Sequence, residues 1–239
     1  MANLPAMPAL PVVATSSLNH SRYCCMQLTN GELFVITAPS GGGKTTLVRL
    51  LLEADDNLRL SVSHTTRAPR SGEVEGRDYF FVSQEEFRHR VDTGGYLEWA
   101  QVHDYYYGTT RTGIEDLLQS GYDVLLDIDW QGAGQLRQHY PSSTSIFILP
   151  PSLDILRDRL AGRATDSQHV VAKRLGNAVG EMRHAKEFDY VIINDQLAMA
   201  LADIQAVIRS VRLRSERQQS HHAGLLQRLT VEENKDCST

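Results

Sequence analysis

The segment APSGGGKT at 38–45 constrains this chain more than any other. It follows the apolar run LFVITA at 33–38 and precedes LVRLLLEA at 47–54, which has helical character. Strand, glycine-rich turn and helix is the context of a phosphate-binding loop. Gly41, Gly42 and Gly43 let the backbone turn tightly with its N–H groups pointing inward. Those amides and the N-terminus of the next helix form an anion nest. Lys44 adds charge for the outer phosphates of a nucleoside triphosphate, and the Thr45 hydroxyl is placed for Mg²⁺. The loop begins at Ala38, where the usual pattern has Gly. Ala38, Pro39, Ser40 and Thr46 complete the expected triphosphate-contacting stretch.

More buried-type runs follow: DVLLDI at 123–128, SIFIL at 145–149 and DYVII at 189–193. Helical patterns such as LDILRDRLAG at 153–162 lie between them. That alternation predicts an α/β fold of the P-loop NTP hydrolase type, a parallel sheet covered by helices on both faces. The stripe Leu197, Leu201, Ile204, Ile208 and Val211 predicts a core-facing helix. After about Arg217 the pattern fades, and a frayed tail is expected. With 239 residues there is room for one such domain with insertions. We expect an N-terminal extension over 1–30, a catalytic domain over 31–210 and the helix end with the tail over 211–239. Pro5, Pro8 and Pro11 interrupt the apolar stretch near the N-terminus, which argues against a signal peptide, and Met26 is an alternative start.

A net charge of −5 argues against a general nucleic-acid binder, and no apolar run reaches the length of a membrane span. Cys24, Cys25 and Cys237 show neither metal-ligand nor disulfide spacing, as in a reducing compartment, and a cytoplasmic location is expected.

Two further features carry chemistry. LLDID at 125–129 ends a strand in Asp127 and Asp129, and Asp127 stands where a carboxylate holds Mg²⁺ through water. SVSHTTRAPRSGEVEGRDYF at 61–80 carries Arg67, Arg70 and Tyr79, a set suited to a second, smaller phosphate. Two phosphate sites on one domain suggest transfer between nucleotides rather than hydrolysis.

Together with EWAQVHDYYYGT at 98–109 and DIDWQG at 127–132, this segment resembles the guanylate kinases, in register from about Gly31 to about Ser210. The resemblance implies ATP and GMP as substrates, with Mg²⁺, and does not separate GMP from dGMP or fix the oligomeric state. It implies a GMP-binding part over about 62–110 and a lid over about 156–186. Arg67, Arg70 and Tyr79 would grip the GMP phosphate, with Glu73 in support. Ser63, Glu98, Thr109 and Asp129 would read guanine, and Tyr107 and Gly108 would line its pocket. Many relatives have Ser where Thr109 stands, and Thr keeps the hydroxyl. The lid arginines Arg163 and Arg174 would close on the ATP phosphates with Arg159 supporting, and Asn194 and Asp195 would lie near adenine. Chemistry points the same way. Guanine presents an O6 acceptor beside N1–H and N2–H donors, which suit hydroxyls and carboxylates respectively. The alternatives are a non-catalytic interaction module of the same fold and a P-loop kinase for another nucleotide. Lys44, Thr45 and the lid arginines favour catalysis over the first, and the guanine-reading set disfavours the second.

Overall fold

The computed structural model describes residues 31–102, 104–162 and 168–231. The expected N-terminal extension, the three cysteines, Met26 and Arg163 lie outside the described residues.

The main sheet has five strands: β1 (Leu33–Thr37), β2 (Leu58–Leu60), β7 (Asp123–Asp127), β8 (Thr144–Leu149) and β9 (Tyr190–Ile193). Their order is β2-β7-β1-β8-β9, and every pairing is parallel. Strand β1 shows why both faces are covered. Phe34 and Ile36 point into one core with Leu125, Ile146 and Ile148. Leu33 and Val35 point into the other with Val124, Leu126 and Phe147. The period of two therefore fills two cores from one near-continuous apolar run. Helices α1 (Lys44–Ala54) and α7 (Leu197–Arg212) cover the first face. Helices α3 (Arg111–Gln119) and α4 (Trp130–His139) cover the second, supplying Ile114, Leu118, Ala133 and Leu136. Each such fully buried aliphatic or aromatic side chain contributes about 1.5–3 kcal/mol.

A second sheet of four short strands stands beside the first: β3 (His64–Thr65), β4 (Phe80–Phe81), β5 (Tyr96–Val102) and β6 (Tyr105–Thr110), in the order β4-β3-β6-β5. Its own small core is Phe87, Tyr96 and Tyr106, with Phe87 contributed by α2 (Gln84–Asp92). Ser83 caps α2, its side chain accepting from Glu86 N at 3.0 Å. The lid region consists of α5 (Leu153–Ala161) and α6 (Gln168–Met182), followed by a 3-10 turn at Arg183–Glu187. Leu156, Leu160 and Ala178 pack α5 on α6.

One expectation needs correction. Leu197 is 41% exposed, and the buried stripe of α7 is Ala200, Ile204, Val207, Ile208 and Val211, with Leu201 partly buried. Leu197 is the first residue of the helix and lines a cavity beside Gly41, Gly43 and Thr46 instead. Beyond Arg217 the chain is helical as far as it is described. Helices α8 (Ser215–His221) and α9 (Ala223–Val231) continue it. The start of this segment is held by a buried carboxylate the apolar pattern does not reveal. Asp123, fully buried at the start of β7, accepts from Arg212 Nε at 2.6 Å, Arg217 Nη2 at 2.8 Å and the Glu32 amide at 2.7 Å. A buried charge is tolerated only when paired in this way. Arg212 and Arg217 thereby fasten the end of α7 and the first turn of α8 to the sheet.

Candidate active site

The phosphate-binding loop joins β1 to α1 and is held from two sides. Gly41 and Gly43 adopt φ of 85° and 93°, conformations that favour glycine. The loop is closed by a hydrogen bond from Gly42 N to Pro39 O at 2.8 Å. Asn194, buried at the end of β9, donates from Nδ2 to Gly42 O at 2.9 Å. A Cβ on Gly43 would collide with that same amide. Asn194, read from sequence as lying near adenine, thus has a bracing contact to the loop, and its own carbonyl accepts from Arg159 Nη2 at 3.0 Å. Asn194, Asp195, Arg159 and Leu197 line a cavity beside Gly41, Gly43 and Thr46. From the lid, Arg174 Nη2 donates to Ser40 Oγ at 3.2 Å. Glu181 Oε2 accepts from the Ser40 amide, also at 3.2 Å. Glu181 was not foreseen: it is one carboxylate in an ordinary helical stretch, and only the folding of α6 onto the loop gives it meaning. The larger cavity, about 640 Å³, is lined by residues 37–46 together with Arg70, Tyr107, Asp129, Trp130, Arg174 and Glu181.

Lys44 projects from the first turn of α1 to the end of β7. It forms an ion pair with Asp127 and donates to Ile128 O at 3.3 Å. The two residues expected at the γ-phosphate and the metal therefore neutralise each other at the floor of the site. Thr45 is exposed beside them.

The second cavity, about 190 Å³, joins Lys44 and Asp127 to Ser63, Tyr79, Glu98, Tyr107 and Asp129. Its polar groups come from several separate elements. Ser63 precedes β3, and its Oγ lies 3.0 Å from Thr109 Oγ1 on β6. Glu98 lies opposite Thr109 across the β5–β6 ladder, just past an irregularity in register between Tyr96 and Glu98. Such a bulge re-aims side chains, and here two consecutive residues are both buried: Leu97 in the main core and Glu98 in the cavity wall. Burial raises the Glu98 pKa to about 7, against the lowering influence of the Thr109 hydroxyl and with a further rise from the charge of Asp129. Asp129 is also the N-cap of α4, its Oδ1 accepting from Gly132 N at 2.8 Å and its Oδ2 from Gln131 Nε2 at 3.1 Å.

Arg67 is buried and its fork is filled. Nη1 and Nη2 donate to Glu73 Oε2 and Oε1 at 2.9 and 2.8 Å, and Nη1 also reaches Ala68 O at 2.7 Å. Its Nε is buried with no partner, a donor still to be satisfied. Glu73 also accepts from the Arg70 amide at 2.7 Å, so one carboxylate organises both arginines. Arg70 itself is exposed at the mouth of the larger cavity. The Arg67 guanidinium lies 5.4 Å from the Tyr79 ring, and Tyr79 meets Tyr107 edge-on at 5.8 Å. Burial pushes the Tyr79 phenol up to about 12, so it stays a donor at neutral pH. Gly108, expected to line the pocket, is also constrained by packing on its other side. A Cβ there would meet Tyr96, Phe87 and Trp99 at 3.0–3.1 Å, so this glycine serves the aromatic core behind the pocket.

Comparison with known proteins agrees with this geometry. A family model described as guanylate kinase matches residues 30–211. The guanylate kinase of Dechloromonas aromatica is 54% identical over 199 residues, 83% of this chain and 98% of its own. That of Escherichia coli K12 is 48% identical over 207 residues, 86% of this chain and all of its own. The crystal structure of guanylate kinase from Anaplasma phagocytophilum superposes with a TM-score of 0.66 at 37% identity, covering 78% of this chain and 89% of that one. With a P-loop, a carboxylate-lined cavity beside it and this extent of likeness, the chain belongs to the guanylate kinase family, the kinases that carry a phosphoryl group from ATP to GMP.

Proposed function

We propose a division of labour within this phosphotransferase in which backbone holds ATP and side chains gathered from several elements hold GMP. The observation that carries it is the cavity shared by Lys44 and Asp127 with Ser63, Glu98 and Asp129. A base seated on Glu98 and a γ-phosphoryl seated by Lys44 would face one another across it. Residues 38–46 cradle the triphosphate with amides and the α1 N-terminus. Glu98, with Asp129, accepts from guanine N1–H and N2–H, and Ser63 and Thr109 offer hydroxyls to the base. Arg67, Arg70 and Tyr79 take the GMP phosphate, with Glu73 aligning the arginines. The unsatisfied Arg67 Nε is a ready donor for it. Tyr107 walls the pocket on the side of both cavities.

A GMP phosphate oxygen attacks the γ-phosphorus in line, the bond to the ADP oxygen breaks, and the phosphoryl group ends on GMP as GDP. Lys44 exchanges Asp127 for the moving phosphoryl oxygens, whose charge it and Arg174 balance. Arg163, by resemblance, joins them, and Arg159 supports through Asn194. Among the described residues there is no cluster of three metal-ligating side chains. That donor set fits Mg²⁺ brought in on phosphate, which takes few protein ligands. Thr45 and Asp127 would hold it, and when bound it neutralises charge on the phosphate oxygens. No helix among the described residues is long and apolar enough to cross a membrane, and a cytoplasmic location fits both substrates.

The test is a steady-state assay with ATP and each nucleoside monophosphate in turn. GMP should be preferred over AMP by roughly 10⁴-fold or more, because a mismatched base leaves buried polar groups unpaired. Equal turnover of AMP would refute the role given to Glu98.

A further inference from the structure

Helix α4 does more than carry Asp129 at its cap. Strand β5 is an edge strand, paired only with β6. At Trp99 its outward backbone edge is met by a side chain acting as a neighbouring strand would. Trp99 N donates to Gln135 Oε1 at 3.1 Å, and Gln135 Nε2 donates to Trp99 O at 2.7 Å. One primary amide thus satisfies both backbone groups of the residue next to Glu98. One turn earlier on the same face of α4, Gly132 leaves the space that Glu98 fills. A Cβ on Gly132 would collide with Glu98 Oε2 and lie 3.5 Å from Asp129 Oδ1. The three α4 features are therefore in register with one strand: cap carboxylate, missing side chain and amide bracket. Leu97, Ala133 and Leu136 seal the same junction in the main core.

We propose that Gln135 is a positioning residue for guanine recognition: by bracketing Trp99 it fixes Glu98 against Asp129 at the spacing that two adjacent guanine donors require. The inference rests on the guanine-reading role of Glu98. It assigns Gln135 no contact with substrate. Two hydrogen bonds on one rigid helix hold the strand laterally, whereas the apolar contacts of Leu97 alone resist slippage weakly. A displacement near 1 Å at a reacting or recognising group costs on the order of 100-fold.

The test is Gln135→Met, which keeps length and removes both hydrogen bonds. KM for GMP should rise roughly 10- to 100-fold, while kcat and KM for ATP stay within about twofold of wild type. The loss should be larger for GMP than for IMP, which has no N2 amino group. In a Glu98→Gln background the same substitution should cost less than about threefold, since residues acting through one contact are not additive. A lowered melting temperature with unchanged KM for GMP would make Gln135 a purely structural residue and overturn the inference. So would equal losses for GMP and IMP, or full multiplication of the effect in the Glu98→Gln background. If Gln135→Met does not fold, Gln135→Glu keeps the length and the acceptor for Trp99 N, and the same split in KM is expected. Should Glu98→Gln lower GMP kinetics and neither Gln135 variant do so, only this inference falls. Should Glu98→Gln itself leave GMP kinetics unchanged, the guanine-reading role falls with it.

Discussion

The two halves of the site are built from different materials. The ATP side is made of consecutive backbone: residues 38–46 form one loop and one helix start, with side chains from elsewhere serving as braces. The side proposed for GMP is made of side chains brought from several elements, Arg67, Glu98 and Thr109 buried and Ser63, Tyr79 and Asp129 half-buried. Backbone amides oriented by a fold need no partner side chain to stay pointed at an anion. A carboxylate in an apolar wall is held only by what packs around it, and its charge is costly. The two sides should therefore fail differently when altered.

The largest effect belongs where the two halves meet. Lys44→Ala removes the cation that faces both Asp127 and the transferring group. We expect kcat to fall by about 10³-fold or more, with the fold intact because the Lys44 side chain is only part-buried. Circular dichroism and a coupled assay on the same sample check both halves of the statement. A folded variant retaining normal turnover would move the catalytic charge elsewhere.

Next is Glu98→Gln, which sharpens the comparison through pH. The Glu98 pKa is raised to about 7 from 4.5, chiefly by burial. A raised carboxylate favours the folded state below the unfolded pKa and loses that advantage as pH rises through 7. Wild type should thus be less stable at pH 8 than the Gln variant, by up to roughly 3 kcal/mol, with the gap closing near pH 5. Activity should run the other way. Only the ionised carboxylate accepts from both guanine donors, so wild-type kcat/KM for GMP should rise as pH climbs through 7. The variant should lose roughly 10- to 10³-fold at pH 8 and lack that inflection. The phosphate of GMP also titrates, near pH 6, and its inflection should persist in both proteins. Thermal melts and pH–rate profiles measure the opposed trends, and parallel ones would refute the assignment.

Asn194→Ala tests the ATP side in isolation. It removes the donor to Gly42 O and leaves the loop backbone intact. One lost buried hydrogen bond is worth about 1–2 kcal/mol, so KM for ATP should rise roughly tenfold with KM for GMP unchanged. An equal rise in both would mean that the loop and the base pocket are coupled more tightly than their separate construction suggests.

The same contrast explains what could be read from the chain. The P-loop, the two-faced sheet and the order of apolar runs are local patterns, so APSGGGKT and the alternating runs reveal them directly. On the GMP side, Arg67, Arg70 and Tyr79 suggest a second phosphate by their chemistry, but the guanine-reading set is legible only through resemblance. Nothing in the spacing of Arg67 and Glu73 shows that the carboxylate would fill the whole arginine fork, and nothing at Gln135 or Glu181 sets either apart from surface residues. The anchoring of α8 is hidden from the sequence for the same reason. The Asp123 cluster that fastens α8 is charged, and apolar periodicity is blind to it.

The smallest effect is optical. The chain has two tryptophans, one lining the site and one behind it. Trp130, at the start of α4, lines the larger, P-loop cavity and stacks on His184 with ring centroids 3.6 Å apart and planes 8° from parallel. His184 belongs to the 3-10 turn that follows the lid helix α6, so a lid movement would disturb the stack. Trp99 packs against the aromatic core of Phe87, Tyr96 and Tyr106, on the opposite face of β5 from Glu98. Trp99→Phe leaves the Trp130 signal, which should change on ATP addition more than on GMP addition. Trp130→Phe leaves the Trp99 signal, which should change little with either nucleotide, since neither reaches that core. Titrations at concentrations shown by calorimetry to saturate would decide it. A large GMP response from Trp99 alone would show that closing the base pocket strains the β5–β6 sheet, and the GMP side would then be the more deformable half.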